Sequence, residues 1–349
     1  MTVFSIPVHS KTRSISEGRV IFLSDAHYGS FGGVGGYSDV ERTAIMIDRL
    51  IEEYNTDRSY DAVVFVGDTV SANHDLLLKR AEKGSADFSD EEETAVVRAW
   101  KDTYMSRLER ENIPCFYVNA SHDALYGDNF KNVFGYENNY VLEVGDVAYI
   151  CVDTYAGARA EATLETSASD LPDAFLAETV AYLDGDRVRE AYVVSHYPFP
   201  KENMKILCAH EKVRASLAGH SHYNTIDRFL DKPLLQTGHF SRAYTRMVTH
   251  GLGFYPFSPL NDNTVGLTLD EDGRERRDHS ATGSPWQWRV MESSDVGVES
   301  YMTFVRMEYR AFPSDGIDFP AFTQPEIEAR PSFLGDNAPI DRSYMFFKK

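Results

Sequence analysis

Short apolar runs alternate with longer amphipathic segments along the first third of the chain. The runs Val20–Leu23, Asp61–Val66 and Cys115–Val118 are apolar at almost every position, which is typical of strands buried on both faces. The segments Ser38–Asn55 and Ser89–Glu111 place apolar residues at helical spacing, and each opens with a serine and a glutamate at the spacing of a capping box. Strands that alternate with helices predict a parallel α/β layer with right-handed crossovers.

The pattern becomes richer in strands further along the chain. A hairpin is predicted at Tyr140–Val144 with Val147–Val152, and a helix at Asp173–Leu183. Five further strand segments are predicted at Tyr192–Val194, Ala215–Ala218, Thr225–Leu230, Leu234–Thr237 and Tyr301–Phe312. Residues 1–18 are polar and irregular, which predicts a short N-terminal arm. We therefore divide the chain into this arm, a main domain over 19–250 and a β-rich C-terminal extension over 251–349. The pattern leaves open whether the extension is an appended unit or a cap that packs on the main domain.

Composition narrows the class of protein. The chain has 349 residues, 42% of them apolar and 26% charged, as in ordinary globular proteins. A net charge of -19 argues against a protein that coats nucleic acid, because there is no basic surplus to displace counterions. No apolar run reaches the length of a signal peptide or a membrane span, so we expect a cytoplasmic protein without a membrane contact. Cys115 and Cys151 lie in strand-like runs, which predicts buried thiols rather than disulfides.

Polar clusters follow five of the predicted strands. The clusters are Asp25-Ala26-His27, Gly67-Asp68, Ser121-His122-Asp123, His196 and Gly219-His220-Ser221-His222. Because the carboxyl ends of strands collect ligands in open α/β folds, we expect one composite site. Aspartate and histidine together suit Mn²⁺, with Fe, Zn or Ni as alternatives. Two such cations about 3.5–4 Å apart need a bridging ligand, which a carboxylate such as that of Asp68 can supply.

These motifs, in this order, resemble those of the calcineurin-like metallophosphoesterases over roughly residues 20–240. The resemblance implies a four-layer α/β/β/α fold, a β-sandwich flanked by helices, with a binuclear metal centre at one edge. It implies that Asp25, His27 and His222 bind one metal ion, that Asp68 bridges, and that His196 and His220 bind the second. It also implies that His122 contacts the substrate and acts as a general acid.

The third motif departs from the family pattern. The family has Gly-Asn-His followed by an acidic residue, with the asparagine as a metal ligand, whereas this chain has Ser121 at that position. Either Ser121 binds weakly or through water, or Asn119 reaches in from a shifted loop, or the second metal site has low affinity. Asp123 directly follows the predicted acid His122. We assign it either to catalysis together with His122 or to orienting a neighbouring ligand.

Asn119 is also assigned to substrate binding, together with three further residues that are expected at the rim of the pocket. Asn73 and His74 imitate the missing motif but lie only five residues past Asp68, without an intervening element. His239 follows another apolar run, and a structural role is an equal alternative for it.

The residues after Asp68 separate this chain from several branches of the family. Protein phosphatases have Asp-Arg-Gly shortly after the Gly-Asp motif, and purple acid phosphatases have a tyrosine three residues after that aspartate, where this chain has Ser71. What remains is a small-molecule phosphodiesterase or phosphatase. Two alternatives stay open, namely a catalytically impaired binding protein, supported by Ser121, and a hydrolase of a bond other than a phosphoester. The oligomeric state also stays open.

Overall fold

The computed structural model describes residues 1–8, 18–28, 39–57, 60–72, 89–155, 171–197, 202–220, 225–237, 267–269, 275–277, 287–304 and 345–348. The strands of these segments are, in chain order, β1 (Thr2–Ile6), β2 (Arg19–Leu23), β3 (Ala62–Val66), β4 (Cys115–Val118), β5 (Tyr140–Val144), β6 (Val147–Val152), β7 (Glu190–Ser195), β8 (Val213–Ala218), β9 (Thr225–Phe229), β10 (Lys232–Gln236), β11 (Leu267–Leu269), β12 (Glu275–Arg277), β13 (Gln287–Ser294), β14 (Gly297–Phe304) and β15 (Met345–Lys348). The helices are α1 (Asp39–Asp57), α2 (Asp90–Trp100), α3 (Ser106–Arg110), α4 (Asn129–Phe134), α5 (Asp173–Asp184) and α6 (Glu202–Ala209), and a π-helical turn, Lys101–Met105, joins α2 to α3.

Two mixed sheets form the centre of the fold. One has six strands in the order β15-β14-β13-β2-β3-β4, and the other has seven in the order β1-β5-β6-β7-β8-β10-β9. In the six-stranded sheet, β2, β3 and β4 are parallel, and in the seven-stranded sheet β6, β7 and β8 are parallel. The carboxyl ends of five of these six strands, all except β6, carry the polar clusters that the sequence singled out.

Three apolar clusters separate four layers. Alternate residues of β2 face opposite ways, since Val20 and Phe22 pack between the two sheets while Ile21 and Leu23 pack under α1, α2 and α3. The outer face of the seven-stranded sheet packs against α5 and α6. This burial on both faces explains the continuous apolar runs, and it confirms the predicted α/β/β/α sandwich.

Most of the predicted elements are present, with shifted ends. The predicted hairpin β5–β6 forms, with Tyr140 opposite Cys151 and Val144 opposite Val147. The capping box at Ser89 is complete, because its side chain accepts from the Glu92 amide and the Glu92 carboxylate accepts from the Ser89 amide. The second capping box, at Ser38, lies outside the described residues.

The expectation of an irregular segment before residue 19 was wrong for Thr2–Ile6. These residues form an edge strand that pairs in parallel with β5, with Thr2 opposite Tyr140. The Met1 amino group also pairs with the Glu178 carboxylate. A five-residue strand whose partner lies far away in the sequence leaves too short a pattern for sequence reasoning to detect.

The C-terminal strands complete the six-stranded sheet. β13 pairs antiparallel with β2, placing Val290 opposite Ile21, and β14 and β15 continue outward from it. The described strands after residue 286 therefore share one sheet with the first ligand-bearing strand, although a domain boundary near 250 remains a prediction. The predicted strand Tyr301–Phe312 starts earlier, at Gly297, and its residues 305–312 lie outside the described part. Among the described helices, none combines the length and apolarity needed to span a membrane.

Candidate metal centre

Backbone hydrogen bonds join the ligand-bearing loops of the six-stranded sheet. Beyond the end of β2, the Asp25 amide donates to the Gly67 carbonyl at 3.1 Å, and the His27 amide donates to the Asp68 carbonyl at 2.9 Å. The loop after β8 joins the same edge from the other sheet, because the His220 amide donates to the Asp25 carboxylate at 3.0 Å. The motifs that are far apart in sequence therefore share one edge of the sandwich.

Four of the predicted ligands have a left-handed backbone. The φ angles are 56° at Asp25, 48° at His27, 48° at Asp68 and 68° at His220. This region costs free energy for residues other than glycine and is found at sites where the surroundings force it. Such a concentration at one edge indicates that the loops are held there to place side chains.

The Asp68 carboxylate lies at the centre of the cluster. Its Oδ2 is 3.1 Å from Nε2 of His196, 3.9 Å from Nε2 of His27 and 3.9 Å from Nε2 of His122. Two groups with the spacing of metal ligands share this carboxylate, one with His27 and His122 and the other with His196 and His220. A carboxylate flanked by imidazoles on both sides has the arrangement that a bridging ligand requires.

Asp25 presents one carboxylate oxygen to the cluster and anchors the other. Its Oδ1 lies 3.7 Å from Nε2 of His27 and 4.0 Å from Nε2 of His196. Its Oδ2 accepts from the Ser24 hydroxyl at 2.5 Å and from the His220 amide at 3.0 Å. These two donors fix the direction of the carboxylate and connect it to the loop of the opposite sheet.

The electrostatics of the cluster fit a bound cation. Burial alone would raise the pKa of Asp68, but the charges of His196, His122 and His27 hold it well below its usual range. Burial alone would lower the pKa of His196, but Asp68, Asp25 and the Val66 carbonyl raise it to about 10. These opposite shifts show that the site stabilises carboxylates beside positive charge.

The tautomer of His196 supports the same conclusion. Its Nδ1 is 2.8 Å from the Val66 carbonyl, which can only accept, so Nδ1 carries the proton. A neutral His196 ring therefore directs the lone pair of Nε2 toward Asp68, a contact that meets the distance but not the geometry of a hydrogen bond. His196 Nε2 and Asp68 Oδ2 then face each other with lone pairs at 3.1 Å, and they repel each other unless a proton or a cation lies between them. A backbone carbonyl that orients an imidazole in this way is typical of metal sites.

Asp123 lies beneath the Asp68 loop. Its Oδ2 accepts from the Asp68 amide at 3.0 Å, and its Oδ1 accepts from the amides of Thr69 and Val70 and from the Tyr117 hydroxyl. Burial and the charge of Asp68 raise the pKa of Asp123 to about 8. These contacts favour the orienting alternative for Asp123, and a part in proton transfer stays a prediction.

His122 and its neighbours form the turn after β4. The His122 amide donates to Asp68 Oδ1 at 3.0 Å, and its ring packs edge-on against that of His27, with centroids 4.6 Å apart. Ser121 is buried on the same turn. The Asn119 amide group donates to the Leu125 carbonyl and to Asp153, so its side chain is engaged beneath the turn. The assignment of Asn119 to substrate binding stays a prediction.

Four predicted residues lie outside the described part of the chain, namely Asn73, His74, His222 and His239. The structure thus brings together Asp25, His27, Asp68, His196 and His220, with His122 beside them.

Sequence reasoning missed two residues of this edge. Ser24 precedes Asp25 and orients its carboxylate, a role that no spacing pattern signals. Asp153 follows the apolar run of β6 and lies buried at the same edge. Burial raises its pKa to about 6, although the hydrogen bonds from Asn119, Tyr155 and Asn138 act in the opposite direction and lower it. The signal for Asp153 was present, because a polar residue directly after a buried strand is the pattern that identified the other clusters.

A two-sheet sandwich with an aspartate and histidine cluster at its edge defines a metal-binding α/β protein. The sequence profile of the calcineurin-like phosphoesterases matches residues 18–224. The chain therefore belongs to the calcineurin-like phosphoesterase family, and it is a metal-dependent hydrolase of phosphoric esters. No curated protein matches the chain in sequence.

The chain is similar to two solved structures of phosphatases. A dimetal phosphatase from Danio rerio is 10% identical with a TM-score of 0.50, and the alignment covers 83% of this chain and 96% of that one. A purple acid phosphatase from yellow lupin (Lupinus luteus) seeds is 12% identical with a TM-score of 0.48, covering 88% of this chain and 53% of that one. At these identities, the first comparison supports the fold alone.

Proposed function

We propose that the protein hydrolyses small-molecule phosphoesters, as a phosphodiesterase or a phosphatase, at the Asp68 cluster. The observation that carries the proposal is the position of Asp68 Oδ2, within 3.9 Å of three imidazole nitrogens from three separate loops. The net charge of -19 disfavours polyanionic partners such as nucleic acid and leaves small esters as the better substrates.

The residues present fit two divalent cations. Asp25, His27 and the predicted ligand His222 would hold one, and His196 and His220 would hold the other. Asp68 would be shared between them. When bound, the two cations would polarise the phosphoryl group and lower the pKa of a water molecule toward neutrality. The mixture of carboxylate and imidazole supports Mn²⁺, with Fe, Zn or Ni as the alternatives.

The exposure of His122 supports a role for its ring on the leaving group. Its side chain is 23% exposed, whereas the side chain of His27 is 2% exposed and that of His196 is fully buried. An ester that reaches the cluster from solvent can therefore contact the His122 ring, which lies next to the shared carboxylate. Protonation of the departing alkoxide by such an imidazole is ordinary general acid catalysis and contributes roughly 10²–10⁴-fold to a rate.

The test combines metal content with hydrolysis. Protein purified without chelator is subjected to elemental analysis, and bis-p-nitrophenyl phosphate and p-nitrophenyl phosphate are assayed with and without Mn²⁺. We expect about two metal ions per chain and turnover that Mn²⁺ stimulates, lost in Asp68→Ala because the bridging carboxylate is gone.

Asp61→Asn provides the matched control. Asp61 is also a buried aspartate, but it lies just before β3, at the opposite end of the strand that leads to Asp68, and it accepts from the Arg19 amide. We expect this variant to keep metal content and turnover. One metal ion or none, together with no turnover of either ester in excess Mn²⁺, would contradict the proposal and favour the impaired binding protein.

The expected location stays a prediction, and the oligomeric state stays open. The cytoplasmic location is tested by cell fractionation, and the oligomeric state by sedimentation.

A further inference from the structure

A buried polar group behind the site has no role in the chemistry described so far. The Asp153 carboxylate, at the end of β6 in the seven-stranded sheet, accepts three hydrogen bonds. Its Oδ1 accepts from the Tyr155 amide at 2.8 Å, and its Oδ2 accepts from the side-chain amides of Asn138 at 2.8 Å and Asn119 at 3.0 Å. The contact with Asn119 crosses from one sheet to the other, because Asn119 directly follows β4.

Asn119 closes the loop that carries His122. Its Nδ2 group donates to the Leu125 carbonyl at 3.1 Å as well as to Asp153. Both partners can only accept, so the orientation of the amide is fixed, and a single side chain ties residue 119 to residue 125. Within this loop, the Ala124 amide donates to the Ala120 carbonyl at 3.3 Å, and Ala124 has a left-handed φ of 53°. The tie therefore spans a tight turn with His122 near its middle.

We propose that Asp153 is a positioning residue for His122, acting through Asn119. It fixes the amide of Asn119, the amide holds the two ends of the turn together, and the turn places the His122 ring beside Asp68. The inference rests on the proposed role of His122 in phosphoester hydrolysis.

The acceptor pattern of Asp153 gives the proposal a sharp test. Every described hydrogen bond to its two oxygens comes from an N–H group, so Asp153→Asn turns an NH₂ group toward a donor in either orientation of the amide. The isosteric variant should therefore behave like Asp153→Ala, because a buried donor without an acceptor is costly. If only the volume of the side chain mattered, Asp153→Asn would behave like the wild type.

The matched control is Asn138→Ala. It removes a hydrogen bond of similar length to the same oxygen, Asp153 Oδ2, but it does not touch the turn at 119–125. Two readouts are compared in Asp153→Ala, Asp153→Asn and Asn138→Ala. The first is hydrogen–deuterium exchange of the peptide that covers residues 119–125, and the second is kcat and KM for the better p-nitrophenyl ester.

We expect faster exchange in the turn and a kcat lower by about 10–100-fold in both Asp153 variants, with little change in KM, because displacing a catalytic group by about 1 Å costs rate. Asn138→Ala should change neither readout appreciably. Thermal unfolding of each variant identifies any that fail to fold, and Asn119→Ala then serves as a second variant that breaks the same tie from the other end.

A double-mutant cycle decides whether the effect passes through Asn119. If it does, Asn119→Ala combined with Asp153→Ala loses no more kcat than either single variant. Additive losses, or unchanged exchange at 119–125, would overturn the proposal. If the wild type shows no hydrolysis but the exchange pattern is as expected, the positioning role stands and the proposed function fails. If the wild type is active and the Asp153 variants match it, the positioning role fails alone.

Discussion

Gly219→Ala tests whether the Asp25 loop and the His220 loop must touch. A Cβ atom at residue 219 would lie 1.9 Å from Ser24 Oγ, 2.8 Å from Asp25 Oδ2 and 3.0 Å from Ser24 Cβ. Real contacts of this kind are not shorter than 3.0 Å, so either the Ser24 hydroxyl rotates away or the two loops separate by about 1.1 Å, the difference between 3.0 and 1.9 Å. Gly219 is thus required for a close approach rather than for its backbone angles.

Neither way of relieving the clash spares the site. Rotation of the Ser24 hydroxyl would break its hydrogen bond to Asp25, and the new methyl group would still press on Oδ2 of that carboxylate. Displacement of the loop would move His220, whose amide donates to the same oxygen. Overpacking of this kind costs about 1–3 kcal/mol of stability, and a shift of about 1 Å at a catalytic site costs on the order of 10² in rate.

The assay compares Gly219→Ala with Gly185→Ala by urea unfolding, Mn²⁺ titration and hydrolysis. At Gly185 the nearest atom to a new Cβ, the Tyr182 carbonyl oxygen, is 3.5 Å away and φ is -76°, so this control should stay within about 0.5 kcal/mol and keep its activity. Adding Ser24→Ala to Gly219→Ala removes the closest contact and should recover part of the stability without restoring metal affinity. Wild-type metal affinity and kcat in Gly219→Ala would refute the steric reasoning.

Two further predictions concern the variant motif and the cysteines. Ser121→Asn should tighten binding of the second Mn²⁺ in a calorimetric titration, since an amide oxygen is a better ligand than a hydroxyl. Weaker binding or a lower kcat would show that serine belongs to a working, divergent site. The three thiols should react slowly with a thiol reagent at pH 8 and fast after unfolding, because burial raises their pKa values, that of Cys151 to about 12; fast reaction of the native protein would contradict this burial.

The sequence predicted the parts of the fold whose signal is local. Apolar runs located β2, β3 and β4, and the capping box located the start of α2, because both depend on residues close together in the chain. Pairing between distant segments leaves no such local signal. The edge strand Thr2–Ile6 and the addition of β13 to β2 were therefore missed, since each depends on a partner more than a hundred residues away.

The residues of the site also fall into those that the sequence identified and those that it did not. The histidines and aspartates were identified because these residue types can bind divalent metal ions and each cluster follows a buried strand. The groups that hold them were not, since the importance of Ser24 and Asp153 lies in the side chains that they contact, Asp25 and Asn119, although Asp153 has the same local signal as the ligands. A sequence pattern reports which side chains are present at a strand end, and only the packing of both sheets reports which of them orient the others.

The division between ligands and supporting residues indicates which property of the site Ser121 affects. Asp68 is held from below by Asp123, through the amides of residues 68–70, and the turn bearing His122 is tied by Asn119 to Asp153. Neither support passes through the side chain at position 121, so replacing asparagine there removes one potential ligand while both loops stay in place. We therefore expect the change at position 121 to alter affinity for the second cation more than the geometry of Asp68 and His122.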